Sequence, residues 1–397
     1  MKQINKNIFW NAVGNTAYNG LQWLITVIVT RCSGLGASGI LAAAMSVSLT
    51  FRTISYFGIR NFYISDRSGD ISDGEYFGFR TASSAAAFVL CMIFSLLGGY
   101  DAQCIAAIAL YMLFRVSEGF SDLFYGIMQK NDRLDTAGKF QLLKAVITTA
   151  AFSAGYFSVS LNAGLLLMSC SSVIISFAAE MPAASKLSDK TLPSFSKLIG
   201  TAEKTLPVFI YQLENSVIFN MPQFILIRCC GTDSAGAYSS VFSLAITVQA
   251  IFQYTYVPFL TKLSACDEKQ FQKLLLRLGT VLFAISAAFI ALSAFFGENI
   301  SAAVFGDELK SFGELMLPAA ASACCYSFMS FGAALVTMRR RFDLLILSHG
   351  AAAAVSAVSS VLFAKLYGIS GASFGMTAAS VTALIFMLSN PFSRKNK

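Results

Sequence analysis

The chain has 397 residues, 56% of them apolar and 13% charged, with a formal net charge of +8 and a mean hydropathy of +0.64. A soluble protein of this size needs more charge to keep its surface wet, so that class is excluded. Helices and closed barrels can cross a bilayer because they satisfy every backbone polar group internally, and the continuous, non-alternating apolar runs here select helices.

Twelve runs of about twenty residues, each long enough to span a bilayer, are expected at 9–30, 38–57, 79–99, 103–127, 140–159, 161–181, 206–227, 236–258, 275–296, 313–336, 344–364 and 371–390. The first run is too long and too polar for a signal peptide and lacks a cleavage site. It carries Asn11, Asn15, Asn19 and Gln22 at helical spacing, which puts four amides on one face. Such a face looks either into a watery cavity or at a neighbouring helix that it hydrogen-bonds.

The run ends at Arg31-Cys32-Ser33-Gly34-Leu35-Gly36-Ala37-Ser38-Gly39. Nearly half a chain later comes Arg228-Cys229-Cys230-Gly231-Thr232-Asp233-Ser234-Ala235-Gly236, with arginine, cysteine and both outer glycines in register. At the same offset Ser46 meets Ser243 and Thr50 meets Thr247. Chance similarity of two tight outer loops is one explanation. Duplication is the other, and the position of both stretches between two apolar runs favours it.

The second run carries Arg52 near its inner end, where it either snorkels to the headgroups or faces a cavity. Gly58-Ile59-Arg60-Asn61-Phe62-Tyr63-Ile64-Ser65-Asp66 then leads into a polar loop. In the fourth run Arg115 lies near mid-membrane, with Glu118 and Asp122 along the same helical face. A lone charge there costs about 3 kcal/mol or more. Either Arg115 and Glu118 form a structural ion pair, or Arg115 is a cavity cation beside a titrating carboxylate. The planar arginine fork suits a diphosphate.

The fourth run exits through Phe120 to Asp135, and its counterpart through Val336 to Asp343; both close on arginine, an apolar residue and aspartate. Residues 183–204 carry four lysines, Pro193 and the apolar Leu192, Phe195, Leu198 and Ile199, as expected of a linker with a short interfacial helix. The seventh run repeats the polar stripe of the first with Gln212, Ser216, Asn220 and Gln223, and holds Glu214 near mid-depth, a candidate ion site or arginine partner. The matched stripes point to a polar cavity between the halves. Residues 297–312, with Glu298, Asp307 and Glu308, are expected as an acidic outer loop at the interface, and Ser393 to Lys397 as a basic tail.

With both termini cytoplasmic, the outer loops hold Arg31, Arg228, Lys310 and Lys365 of the 29 lysines and arginines. Arg52 and Arg115 fall inside spans, and all the rest, Arg80 and Lys144 included, fall on the inner side. That bias obeys the positive-inside rule, so the net charge reflects anionic lipid and no nucleic acid partner. The nine cysteines have no CxxC spacing and read as small apolar residues. The single His349 is too little for a histidine metal site and reads as a helix-packing residue; no metal or cofactor is expected.

The stretch from Gly58 to Asp66 resembles a loop motif of bacterial Wzx-type polysaccharide flippases, in the superfamily that also holds the multidrug (MATE) exporters and lipid II flippases. The exit Phe120 to Asp135 and the opening Phe9-Trp10-Asn11-Ala12-Val13-Gly14-Asn15 resemble the same branch. The layout is similar over the whole chain. The resemblance implies an all-α integral membrane protein, with twelve helices in two repeat-related six-helix bundles around a central cavity. The bundles would be residues 1–182 and 205–397, joined by the linker 183–204.

It further implies a non-enzymatic flippase in the bacterial cytoplasmic membrane, probing both leaflets by alternating access. The implied substrate is an undecaprenyl-diphosphate-linked oligosaccharide for surface polysaccharide such as O-antigen or capsule. Substrate candidates are Arg115, Arg52, Arg60, Asn11, Asn15, Asn19, Gln22, Gln212, Asn220 and Gln223; ion-coupling candidates are Glu118, Asp122 and Glu214. Membrane lipids and a polysaccharide polymerase with other assembly proteins are the expected partners of a monomer. A multidrug cation antiporter would want unopposed acids in its cavity, which Arg115 and Arg52 oppose. A membrane-embedded polymerase or glycosyltransferase would need a larger outer loop or soluble domain, and neither an HExxH motif nor a phosphate-binding glycine loop is present.

Overall fold

A computed structural model describes residues 2–65, 72–188 and 194–389. All secondary structure among them is helical. The helices are α1 (Lys2–Tyr56), α2 (Ile59–Ser65), α3 (Asp73–Leu97), α4 (Ala102–Lys130), α5 (Leu134–Ser158) and α6 (Leu161–Ile175). A π-helical turn, Ser176–Glu180, carries α6 into α7 (Met181–Ser185). There follow α8 (Leu198–Ala245), α9 (Thr247–Ala265), α10 (Glu268–Phe305), α11 (Met316–Met338), α12 (Phe342–Tyr367) and α13 (Gly371–Ser389). Among the described residues eight helical stretches are long and apolar enough to cross a membrane, three of them holding two expected spans.

The duplicated stretch shows what its glycines do. Gly34 (φ 73°, ψ −168°) breaks α1 into two arms, and Gly231 (φ 86°, ψ 174°) breaks α8 at the register-equivalent place. A side chain resists that backbone conformation; glycine does not. Gly39 and Gly236 then permit a reciprocal contact. A Cβ on Gly39 would lie 2.0 Å from the Thr232 carbonyl oxygen, and one on Gly236 would lie 2.3 Å from that of Leu35. Thr232 is itself the repeat equivalent of Leu35, so the two stretches pack on each other as a pseudo-two-fold pair.

The two charged exits match as well. Asp132 and Arg340 both have positive φ, at 56° and 55°. Arg133 N donates to Met128 O, and Arg341 N donates to Val336 O. Each arginine also reaches the aspartate two residues on, Asp135 or Asp343, at 3.4 Å.

By contacts the chain forms two compact units, Met1–Val29 with Ala43–Leu213, and Thr30–Ala42 with Glu214–Lys397. The division differs from the expected 182 and 205 because packing, not chain order, sets it. The joining segment is clamped to the start of α3 within the first unit. Ser194 N donates to Gly74 O at 2.7 Å and Ser196 Oγ to Glu75 Oε1 at 2.7 Å. Phe195 and Ile199 remain exposed, and Leu192 and Pro193 lie outside the described residues, as do Asp66 and the tail Ser393–Lys397.

Four expectations are corrected. The run 236–258 is interrupted where α8 ends and α9 begins. Residues 297–312 are no loop, because α10 continues to Phe305 and a 3-10 turn covers Asp307–Leu315. Arg80, counted with the inner loops, is fully buried within α3. Lys144, counted likewise, is buried within α5. Both cations are carried inward by partners that a count of charges along the chain does not register. His349 is buried in the second unit, with Nδ1 3.0 Å from Leu345 O.

Candidate functional site

The first unit encloses a polar cavity of about 410 Å³ between α1, α4 and α5. Asn15, Asn19 and Gln22 of the first arm of α1 line one wall, with Tyr18 between them. Helical periodicity puts them there, since they share a face. Asn11 sits one turn back and does not line the cavity; its backbone and side-chain oxygens accept from Asn15 Nδ2 at 2.8 and 3.0 Å. Gln141 of α5 donates to Asn15 Oδ1 at 3.1 Å. The Tyr18 hydroxyl, Gln22 Nε2 and Gln141 Oε1 are buried without a hydrogen-bond partner among the described residues, which leaves polar capacity for a ligand.

The opposite wall is charged. Arg115 of α4 donates to Glu118 and, at 2.5 Å, to the Tyr111 hydroxyl; its guanidinium lies 4.8 Å from the Tyr111 ring centroid. Asp122 does not join that pair. It accepts from Arg60 at 2.9 Å and from the buried Arg80 at 3.2 Å. Arg80 also donates to Ser55 O at 2.7 Å, and Arg60 to Gln129 Oε1 at 2.9 Å. Arg60, Asp122 and Tyr56 border a second cavity of about 360 Å³, which Gln212 also lines. Arg52 also lines the larger cavity, half-buried, 4.9 Å over the Tyr56 ring. Among the described residues no carboxylate lies within ion-pair distance of it.

Behind α4 lies a cluster that the sequence reading passed over. Lys144 of α5 donates to Ser121 Oγ at 2.5 Å and Ser176 Oγ at 2.7 Å, and lies 3.7 Å from Glu180 Oε2. Glu180 accepts from Tyr125 at 2.5 Å and from Ser121. Arg80, Lys144 and Glu180 have no special spacing along the chain; the signal each offered was a charge within an expected span, 79–99, 140–159 and 161–181.

Counting these groups, Arg52, Arg60, Arg80, Arg115 and Lys144 outnumber Glu118, Asp122 and Glu180 by two. An interior with that excess favours an anionic ligand, and the walls add amides and hydroxyls suited to a hydroxylated one.

The remaining candidates lie in the second unit and are met locally. Asn220 Nδ2 donates to Ser216 O at 2.9 Å, and Gln223 Nε2 to Ala235 O at 3.0 Å; both side chains are buried. Glu214 is the exception: it faces Gly350, and its Oε2 is buried with no hydrogen-bond partner among the described residues. The stripe of the seventh run is therefore divided, Gln212 belonging to the first unit and the rest to the second.

No family model matches the chain. It is 23% identical over 319 residues to the capsular polysaccharide biosynthesis protein CapF of Staphylococcus aureus, covering 78% of each chain. A lipid II flippase structure, MurJ in an inward closed conformation, superposes with a TM-score of 0.74 at 14% identity, over 98% of this chain and 87% of that one. An inward-facing multidrug resistance MATE family transporter superposes at 0.66 and 13% identity, over 96% and 93%. With its apolar helices, the chain is thus a multi-pass membrane protein with the twelve-helix fold that the lipid II flippase and MATE transporter structures share.

Proposed function

We propose that the chain is a flippase that carries an undecaprenyl-diphosphate-linked oligosaccharide across the cytoplasmic membrane for surface polysaccharide assembly. The observation that carries this reading is the cation excess of the first-unit cavity, with Arg52 facing no carboxylate among the described residues and standing beside hydroxyls and amides. The diphosphate binds Arg52 and draws on Arg115, because the guanidinium fork matches phosphate oxygens and keeps its charge. Asn15, Asn19, Gln22, Tyr18 and Gln141 hydrogen-bond the sugars, while the polyprenyl chain stays in lipid. Both termini are cytoplasmic, by the distribution of lysine and arginine. A polysaccharide polymerase receives the product. The name of the Staphylococcus aureus relative agrees with this pathway class. A multidrug cation would meet net positive charge here.

Native mass spectrometry of the protein extracted gently from its own membrane tests the reading. A co-purified polyprenyl-diphosphate glycan is expected. Arg52→Ala should weaken its retention roughly 10–150-fold, the worth of a hydrogen bond to a charged group at about 1.5–3 kcal/mol. Arg52→Lys should restore part of it. Bulk phospholipid alone, together with binding of added organic cations, would replace this reading with the multidrug one.

A further inference from the structure

The Lys144–Glu180 pair adds no net charge to the excess counted above, yet Lys144 is built into the wall of the same cavity. Lys144 and Ser121 both line that cavity, whereas Glu180 lies behind them and is fully buried. The Lys144 ammonium donates to Ser121 and Ser176 and stands at ion-pair distance from Glu180. Ser121 Oγ stands between the two charges, accepting from Lys144 and donating to Glu180. The π-helical turn Ser176–Glu180 aims both of its terminal side chains at Lys144. Such turns break the regular helical ladder and concentrate at functional sites. A buried pair of this kind is weak support for stability alone, since apolar residues of the same volume serve as well or better.

We infer that Glu180 is a proton site that controls whether Lys144 serves as an additional anion-binding residue of the cavity. The inference rests on the anion-cavity reading above. With Glu180 ionised, the ammonium is held by that carboxylate and its charge is cancelled. When Glu180 Oε2 takes a proton from bulk water, the ion pair is gone. Lys144 then keeps only the two serine hydroxyls as partners, and its positive charge acts on the cavity. Anion binding and proton uptake are thereby coupled, and by linkage each strengthens the other equally.

Other charged groups surround the pair. From α4, Tyr125 contacts Glu180, Glu118 lies within electrostatic reach of both Lys144 and Glu180, and Asp122 lies within reach of Glu118. Glu118 is held by Arg115, and Asp122 by Arg60 and Arg80. Those two carboxylates already have arginine partners facing them, so Glu180 is the carboxylate whose protonation frees a lysine.

Isothermal titration calorimetry with inorganic pyrophosphate, run on the purified full chain in buffers of different ionisation enthalpy, counts protons taken up on binding. Wild type should take up more protons than Glu180→Gln, which keeps the side-chain shape without the charge. Glu180→Gln should bind pyrophosphate roughly 5–150-fold tighter than wild type above the titration, the usual span of linkage between two sites, and keep only the pH dependence that pyrophosphate itself brings. The double substitution Lys144→Met with Glu180→Gln removes both buried charges and so guards against misfolding of the single variant. It should lose the extra affinity and the extra proton uptake together. Proton uptake in either variant equal to that of wild type overturns the inference. Failure of pyrophosphate to bind wild type at any pH overturns the anion-cavity reading itself, and this inference with it.

Discussion

Asp122→Asn removes a carboxylate that two arginines share. Arg80 is fully buried, and the Asp122 side chain is only 17% exposed. Arg80 has its other hydrogen bond to Ser55 O and its guanidinium over the Tyr56 ring, 5.0 Å from the centroid, so it cannot leave for water without dismantling α3. Removing one partner of a buried pair costs about 3–5 kcal/mol, because the other charge stays behind uncompensated. Asparagine keeps one carbonyl oxygen, whose neutral hydrogen bond returns about 1 kcal/mol. The net loss is about 2–4 kcal/mol, which for a cooperative unit of this size lowers Tm by roughly 4–16 °C. Thermal unfolding of the purified protein in lipid-supplemented detergent reads this directly. Adding Arg80→Met to Asp122→Asn should recover most of the loss, since no buried arginine then lacks its acid. If Asp122→Asn melts with wild type, or if Arg80→Met brings no recovery, the argument that Asp122 neutralises Arg80 is refuted.

Arg115→Ala leaves Glu118 buried without its ion-pair partner, so it should accumulate poorly, while Arg115→Met with Glu118→Gln should return to near wild-type amounts by size-exclusion of the solubilised protein. Normal accumulation of Arg115→Ala would mean the pair is not structural and that its charge is free for the cavity. Gly39→Ala and Gly236→Ala should destabilise the second unit to similar extents, about 1–3 kcal/mol each from overpacking, because each Cβ meets a backbone carbonyl in a reciprocal contact. Gly20→Ala, with open space around its Cβ, should be neutral or slightly stabilising in the same melt.

Parts of this site could be read directly from the chain. The amides of α1 repeat at helical spacing, and three of the four do line the cavity. Arg115 and Glu118 stand three residues apart on one helix, so their pairing follows from local geometry. Asp122 looked like a third member of that face. Its partners proved to be Arg60 and Arg80, on helices brought beside α4 by packing. The stripe of α8 was equally visible, but its chemistry was not: Asn220 turns back to its own helix and Gln223 to the second arm.

By itself the sequence determined most of the helices, their approximate ends and the repeat of the glycine-bearing stretch. Those features depend on apolar length, on glycines at two matched breaks and on lysine and arginine bias, all properties of neighbours along the chain. Only the tertiary structure decided which charges neutralise one another. Arg80 and Lys144 read as cytoplasmic cations because they lie close to polar segments, yet the fold buries both. Glu180 stands far from Lys144 along the chain and meets it only when α5 packs against α6 and its π-helical extension. A buried charge survives only where a partner stands opposite, and a partner on another helix leaves no mark in local spacing. Arg52 is the converse case: one more arginine in the sequence, and in the fold a cavity-lining cation facing no carboxylate among the described residues.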